Sequence, residues 1–228
     1  MKRDHTTPET LSNVISKIKK ERKPKLSVWD IDDTLFKTPS KHLKIYLVDK
    51  KTKNRIRGKN GKYLSVTTEQ FADEDHLKRI LDVNNAALDQ KNSFGAFRDP
   101  KIFSKYAKPI TKNLVIALKE YGKKKEVFFL ALTARDNMDP VGLDNFLNHF
   151  ANHGLNMNTD RSHIIRARSV TVLPGSEAKR RILEGILKKC KFINEVEFWD
   201  DSPSNISEFV KLREIFPQVV FTENHVTK

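Results

Sequence analysis

Cysteine is almost missing from this 228-residue chain, with Cys190 the only one. A single thiol excludes an intramolecular disulfide and a multi-cysteine zinc site. It fits a reducing, cytoplasmic setting, with Cys190 read as a helix packing residue. Long apolar runs are missing too, so no segment reaches the length of a membrane span. Residues 1–12 lack the apolar stretch of a signal peptide. No internal repeat or low-complexity segment is evident. There is no Walker A loop: Gly58-Lys59-Asn60-Gly61-Lys62-Tyr63 is too short for its spacing and lacks the final Ser/Thr, which excludes a P-loop kinase module. His149 and His153 stand one helical turn apart without the glutamate of a zinc protease, and read as solvated or helix-end residues. Asn205-Ile206-Ser207 matches a glycosylation sequon, but no secretion signal accompanies it.

Negative charge is scarce. The formal net charge is +14, and it is unevenly placed. Residues 1–25 hold eight Lys/Arg and three Asp/Glu, a net +5; residues 37–62 hold ten Lys/Arg and one Asp, a net +9. Residues 26–36 carry −3 and residues 63–228 carry +3. A basic segment near an active site steers polyanions toward it. A solvated, solubilising surface is the other reading of the same lysines.

The three aspartates of 26–36 are the most informative feature. Asp30-Ile31-Asp32-Asp33-Thr34 follows the apolar run Leu26-Ser27-Val28-Trp29, which reads as a buried strand. A strand tip fixes backbone geometry and opens onto the crevice where α/β sheets bind ligands. Two residues apart on extended chain, Asp30 and Asp32 face the same side. Such carboxylates can share a hard divalent cation, or divide nucleophilic attack and proton transfer between them. An acidic turn closing a strand is the alternative.

Three more clusters follow in order. The apolar strand at 127–132 ends in Thr133-Ala134-Arg135. Gly175-Ser176-Glu177-Ala178-Lys179 opens a helix. A strand at 196–199 ends in Asp200-Asp201, with Asn205 just beyond. In a parallel sheet those ends converge on one edge.

Elsewhere, residues 10–21 read as a helix with Leu11, Val14, Ile15 and Ile18 on one face, stopped before Pro24. It either lies against the core or projects as a basic arm. Strands at 43–48 and 63–66 flank a polar stretch with two glycines, which predicts a β-hairpin. Helical patterning covers 68–88, and residues 95–100 are irregular. Further helices are read at 110–121, 140–153, 175–189 and 202–215, and further strands at 162–165 and 219–221. The span from Thr34 to Thr133 is too long for a simple βαβ crossover, so residues 38–98 read as an insertion.

With WDIDDTL, FLALTAR, the Lys179 helix and FWDDSPSN in this order, the chain resembles the haloacid dehalogenase superfamily of phosphatases. The likeness extends more loosely to the phosphatase domains of polynucleotide kinase-phosphatases and to small phage-encoded members. It implies an α/β, Rossmann-like three-layer sandwich with a central parallel sheet and a small, hairpin-containing cap. The division would be a basic helical extension (1–25), a catalytic core (26–37 and 99–228) and the cap (38–98).

The resemblance implies Asp30 as nucleophile and Asp32 as general acid. Thr133 would donate to a phosphoryl oxygen, and Lys179, rather than Arg180 or Arg181, would neutralise charge. Mg²⁺ would be held by Asp30, the backbone carbonyl of Asp32, and Asp200 with Asp201, while Asn205 orients that loop. Asp33 points away or caps the next turn, and Thr34 tightens it. Arg135 is read as a substrate contact or a surface ion pair, and Trp29 and Trp199 as core packing or walls of the site. Lys53, Arg55, Arg57 and Lys59 are read as substrate contacts. The expected activity is Mg²⁺-dependent phosphomonoester hydrolysis through an aspartyl-phosphate, on a nucleotide or nucleic-acid terminal phosphate. A small-metabolite phosphatase and a non-catalytic nucleic-acid-binding protein on the same fold are the rivals.

Overall fold

The structure is a computed structural model and describes residues 11–38, 45–66, 70, 74–89, 100–135, 138–167, 173 and 175–227. In chain order the elements are α1 (Leu11–Glu21), β1 (Lys25–Trp29), β2 (Phe36–Lys37), β3 (Ile45–Asp49), β4 (Ser65–Val66), α2 (Glu74–Val83), β5 (Ala86–Leu88) and α3 (Pro100–Tyr106). They continue with β6 (Lys108–Pro109), α4 (Thr111–Gly122), β7 (Val127–Thr133), α5 (Pro140–Ala151), β8 (Ile164–Arg166), α6 (Gly175–Lys189), β9 (Glu195–Asp200), α7 (Pro203–Val210), α8 (Leu212–Ile215) and β10 (Val220–His225). The chain divides into two compact units, Met1–Lys37 with Lys108–Lys228, and Thr38–Ala107.

The first unit is α/β. Its five-stranded sheet runs β10-β9-β1-β7-β8, and every pairing is parallel. The register sets Trp29 of β1 beside Ala131 of β7 and Trp199 of β9. β7 is buried at all seven positions, as a central parallel strand covered on both faces requires. Alternation sorts the side chains. Leu26, Val28, Phe128, Leu130, Val196 and Phe198 share a core with Val14 and Ile18 of α1, Ile182 and Ile186 of α6, and Phe209 of α7. Trp29 and Phe129 turn to the opposite face, where Tyr121 of α4 meets Phe129 edge-on at 5.5 Å. From β1 the chain winds out through β7 to β8, then returns to the other side of β1 for β9 and β10. The crevice between the carboxyl ends of β1 and β9 is therefore the topological switch point, where open α/β sheets bind ligands.

The helix at 11–21 is part of this unit and not a projecting arm. Val14 and Ile18 are fully buried. Gly185 in mid-α6 lets α1 approach, since a Cβ there would lie 3.3 Å from Leu11 Cδ2. Lys17 reaches Asp160 at 2.8 Å, and Asp160 also accepts hydrogen bonds from Ser162 ahead of β8. Burial pushes the Asp160 carboxyl up, but the bonds from Lys17 and Ser162 outweigh it and bring it down to about 2. A depressed carboxylate contributes stability above its ordinary value of 3.8, and that contribution is lost as pH falls through the folded value. Asp160→Asn is thus expected to lower the melting temperature near neutral pH. The difference from wild type should close as pH drops from about 4 to about 2, which a thermal melt series reads directly.

In the second unit, β3 lies between β4 and β5 in an antiparallel sheet. A tight excursion within it is held by Asp49 N–H to the Asn54 carbonyl and Gly58 N–H to the Lys62 carbonyl, with Gly61 at φ 73°. Two sequence expectations change here. The helix read over 68–88 stops at Val83, because Asn85 adopts φ 46° and ends it; Ala86–Leu88 then pairs with β3 as a strand. The start of that reading, at residue 68, and the irregular stretch at 95–99 lie outside the described residues. In the first unit, the helix read over 202–215 is broken at Lys211 into α7 and α8, and the last strand runs on to His225. Among the described residues, no helix is long and apolar enough to cross a membrane.

Candidate functional site

The site is built at the end of β1. Asp30 N–H donates to the Trp199 carbonyl at 2.8 Å, so the strand pairing runs on to Asp30. The chain then reverses. Leu35 and Phe36 N–H both donate to the Ile31 carbonyl, and Asp33 takes φ 59°. Aspartate tolerates this left-handed conformation better than most residues. Thr34 is buried in the turn, where its carbonyl accepts from Asn113 at 2.8 Å. One residue before Asp30 and Asp200, the Trp29 and Trp199 rings stack at 4.4 Å with planes 6° apart.

Lys179 comes from the first turns of α6. Its Nζ donates to Asp30 Oδ1 at 2.6 Å and to Asp200 Oδ2 at 2.7 Å. Asp200 is wholly buried at 0 % exposure and Asp30 almost so at 5 %. Asp200 is further held by Ser202 N–H at 2.9 Å and by Asn205 Nδ2 at 2.8 and 2.9 Å to its two oxygens. These bonds orient the Asp200 carboxylate and anchor it beside Lys179. The neighbouring arginines do other work: Arg180 pairs with Glu208 and Glu184, and Arg181 reaches Glu184.

Burial drives the Asp30 carboxyl well above its usual range; Lys179 opposes this, while Asp200 and Asp32 add to it. For Lys179, burial pulls downward but attraction to Asp200 and Asp30 prevails, and its pKa is raised. Ligand atoms of Asp30, Asp200 and Asp201 lie within 4.8 Å of one another. With all three ionised and Lys179 charged, the cluster has two negative charges in excess. Hard oxygen donors with that charge balance suit a divalent cation such as Mg²⁺.

Asp32 takes a different partner. Arg135, at the end of β7, grips it with a fork: Nε to Oδ2 at 2.9 Å and a terminal nitrogen to Oδ1 at 2.5 Å. Thr133 Oγ1 donates to Asp32 Oδ2 at 3.4 Å and accepts from Arg135 N–H at 3.3 Å. The Arg135 guanidinium sits 5.2 Å from the Phe146 ring centroid and is buried, so the surface ion pair considered for it is an interior one. The side chain of Asp32 is not in the carboxylate cluster.

The four basic residues expected to meet substrate lie in the second unit. Arg55 bonds Asp89 at 3.0 Å and lies over Tyr46 at 4.3 Å. Arg57 bonds the Tyr63 hydroxyl at 3.1 Å and covers its ring at 4.4 Å, although Tyr63 stays 42 % exposed. Lys53 and Lys59 are exposed. His149 and His153 pack their rings against Phe36, at 5.1 and 5.3 Å.

Two residues at the same sheet edge escaped the sequence reading. Arg166 ends β8 in register with Thr133 and is buried. His225 pairs in register with Asp200, and its Nε2 lies 3.1 Å from the Asp201 carbonyl. Polar residues closing short apolar strands were the signal for both. No family model matches the chain, and no curated protein or solved structure matches it either.

Proposed function

We propose that this chain is a phosphomonoester hydrolase of the haloacid dehalogenase type, working through an aspartyl-phosphate on Asp30. One observation carries the reading: Lys179 bridges two buried carboxylates, Asp30 and Asp200, at the switch point of the parallel sheet. Ion pairs buried without function are costly to assemble, and this one sits where ligands bind.

The chemistry assigned to these residues balances in two steps. The Asp30 oxygen not engaged by Lys179 attacks phosphorus; the new O–P bond forms as the ester P–O bond breaks. Asp32 gives its proton to the departing ester oxygen. Water then attacks the aspartyl-phosphate, Asp32 takes the water proton, and inorganic phosphate leaves with the Asp30 carboxylate restored. Lys179 and Thr133 stabilise the charge on the phosphoryl oxygens. Arg135 orients Asp32, which must release part of the fork to receive a proton. Mg²⁺, held by Asp30, Asp200, Asp201 and the Asp32 carbonyl, would supply further charge neutralisation when bound.

The Thr38–Ala107 unit is read as the cap insertion, and a nucleotide or nucleic-acid terminal phosphate as the substrate. The charge of +9 over 37–62 supports that class. Tyr63, exposed and flanked by guanidinium groups, adds a stacking surface of the kind single strands use. Against it, Arg55 and Arg57 are held within their own unit, which favours a small-metabolite ester as the second reading.

A phosphate-release screen separates these. It compares 3′- and 5′-phosphorylated oligonucleotides with mononucleotides, sugar phosphates and a small generic ester. Release is expected to vanish after exhaustive chelation and return with Mg²⁺; full activity in verified metal-free protein contradicts the cation site. Lys53→Gln with Lys59→Gln is expected to raise KM for the oligonucleotide and to reduce the log–log salt slope by up to about 2. The generic ester should be unaffected. Equal effects on both substrates, or none, leave the small-metabolite reading standing.

A further inference from the structure

We infer that the amino-terminal edge of the sheet, opposite the carboxylate site, is a second polyanion-binding surface that takes the phosphate backbone of a nucleic-acid strand. Three lysine-rich turns far apart in sequence meet there. Arg22 and Lys23 precede β1, Lys124 and Lys125 precede β7, and Lys189 and Lys191 precede β9. These are the three central strands, β9-β1-β7. Backbone bonds knit their entries together: Lys25 N–H to the Glu126 carbonyl, and Asn194 and Glu195 N–H to the Pro24 carbonyl. Neighbouring strands lie about 4.8 Å apart, so the three turns fall within roughly 10 Å.

The charges there are largely uncompensated. Arg22, Lys124, Lys125, Lys189 and Lys191 are exposed, and so is Lys19 at the end of α1. None of these six makes an ion pair with a described residue. The acids at this edge are mostly taken by other lysines. Glu21 pairs with Lys17 and Lys23, Glu120 with Lys25 and Lys123, and Glu195 with Lys25; Glu126 is the exception. Cations in the last turns of α1 and α6 also complement the helix dipoles, which accounts for Lys19, Lys188 and Lys189 and not for Lys124, Lys125 or Lys191.

The surface has shape as well as charge. A groove of about 440 Å³ is lined by Lys19, Arg22, Lys188, Lys189, Lys191 and Phe192, with no acid among them. A second, of about 560 Å³, runs past Lys23, Lys124 and Lys125 and also past Glu21 and Asp160, whose carboxylates are paired with Lys17 and Lys23. Arg22 takes φ 50°, a conformation that favours glycine, and its guanidinium lies 5.1 Å from the centroid of the Phe192 ring. A half-exposed aromatic beside unpaired cations matches how single strands are held without sequence preference, by backbone charge and base stacking. From Lys25 to Asp30 the strand rises about 16 Å, about two Debye lengths at physiological salt. The surface therefore binds independently of the carboxylate site.

The test reads binding and not turnover, so it stands apart from the phosphatase reading. A labelled single-stranded oligonucleotide without a terminal phosphate is titrated against the full chain at several salt concentrations. Replacing Lys124, Lys125, Lys189 and Lys191 by Gln is expected to raise Kd about tenfold or more and to reduce the salt slope by up to about 3. The melting temperature and turnover of a small ester should not change. Arg22→Gly suits the backbone there and is expected to keep or raise the melting temperature while weakening binding. Unchanged Kd and slope in the well-folded quadruple variant overturn the inference. So does polyglutamate of matched charge binding as tightly as the oligonucleotide, which would mark a surface for acidic protein.

Discussion

Asp30→Asn is expected to abolish phosphate release, by roughly 10⁴-fold or more in kcat, with no loss of stability. The amide keeps the shape of the side chain and still offers Lys179 an oxygen in place of Oδ1. It removes the nucleophilic charge and, with it, a buried carboxylate that desolvation disfavours. Lys179 retains Asp200 as its charged partner. The melting temperature should therefore hold or rise. Loss of activity with loss of folding would make Asp30 a structural residue; near wild-type turnover would remove it from the chemistry.

Lys179→Met should behave in the opposite way with respect to stability. It removes the cation that bonds both Asp30 and Asp200 and leaves the two buried carboxylates facing one another. Breaking a buried pair in this manner costs about 3–5 kcal/mol, less whatever the carboxylates recover by taking up a proton. Denaturant unfolding in the presence of a chelator should show the loss, and activity should fall with it. Adding Asp30→Asn and Asp200→Asn to Lys179→Met is expected to recover most of the stability and none of the activity. A Lys179→Met protein as stable as wild type would mean that the three groups are not coupled in the folded chain.

Much of this arrangement was legible from residues alone. β1, β7 and β9 are apolar runs that end in polar clusters, and parallel strands buried on both faces leave that signature. The order of the clusters puts Asp30, Thr133, Lys179 and Asp200 on one edge of a parallel sheet. What the sequence hid was pairing. Asp32 and Arg135 are 103 residues apart, and neither spacing nor composition indicates that a fork of two hydrogen bonds joins them. For the same reason Arg135 reads from sequence as a substrate contact or a surface ion pair, and not as the partner of Asp32.

Among the cations along 37–62, Arg55 is paired with Asp89, whereas Arg57 bonds the neutral Tyr63 hydroxyl and keeps its charge at the surface. The turns before β1, β7 and β9 look unremarkable singly and become one surface only through the strand order. The helix read over 68–88 failed at Asn84-Asn85. Asparagine tolerates positive φ and lets the chain turn back as β5, a local choice that apolar periodicity does not register.

The most direct test is to trap the intermediate. The protein is mixed with a phosphomonoester labelled in its phosphoryl group, in the presence of Mg²⁺, then quenched in acid and digested. Mass spectrometry locates the label. The account predicts an acyl-phosphate on the peptide containing Asp30, on that residue, and no label in Asp30→Asn. Phosphate release with no label on Asp30, or no release from any ester in the screen, would contradict it.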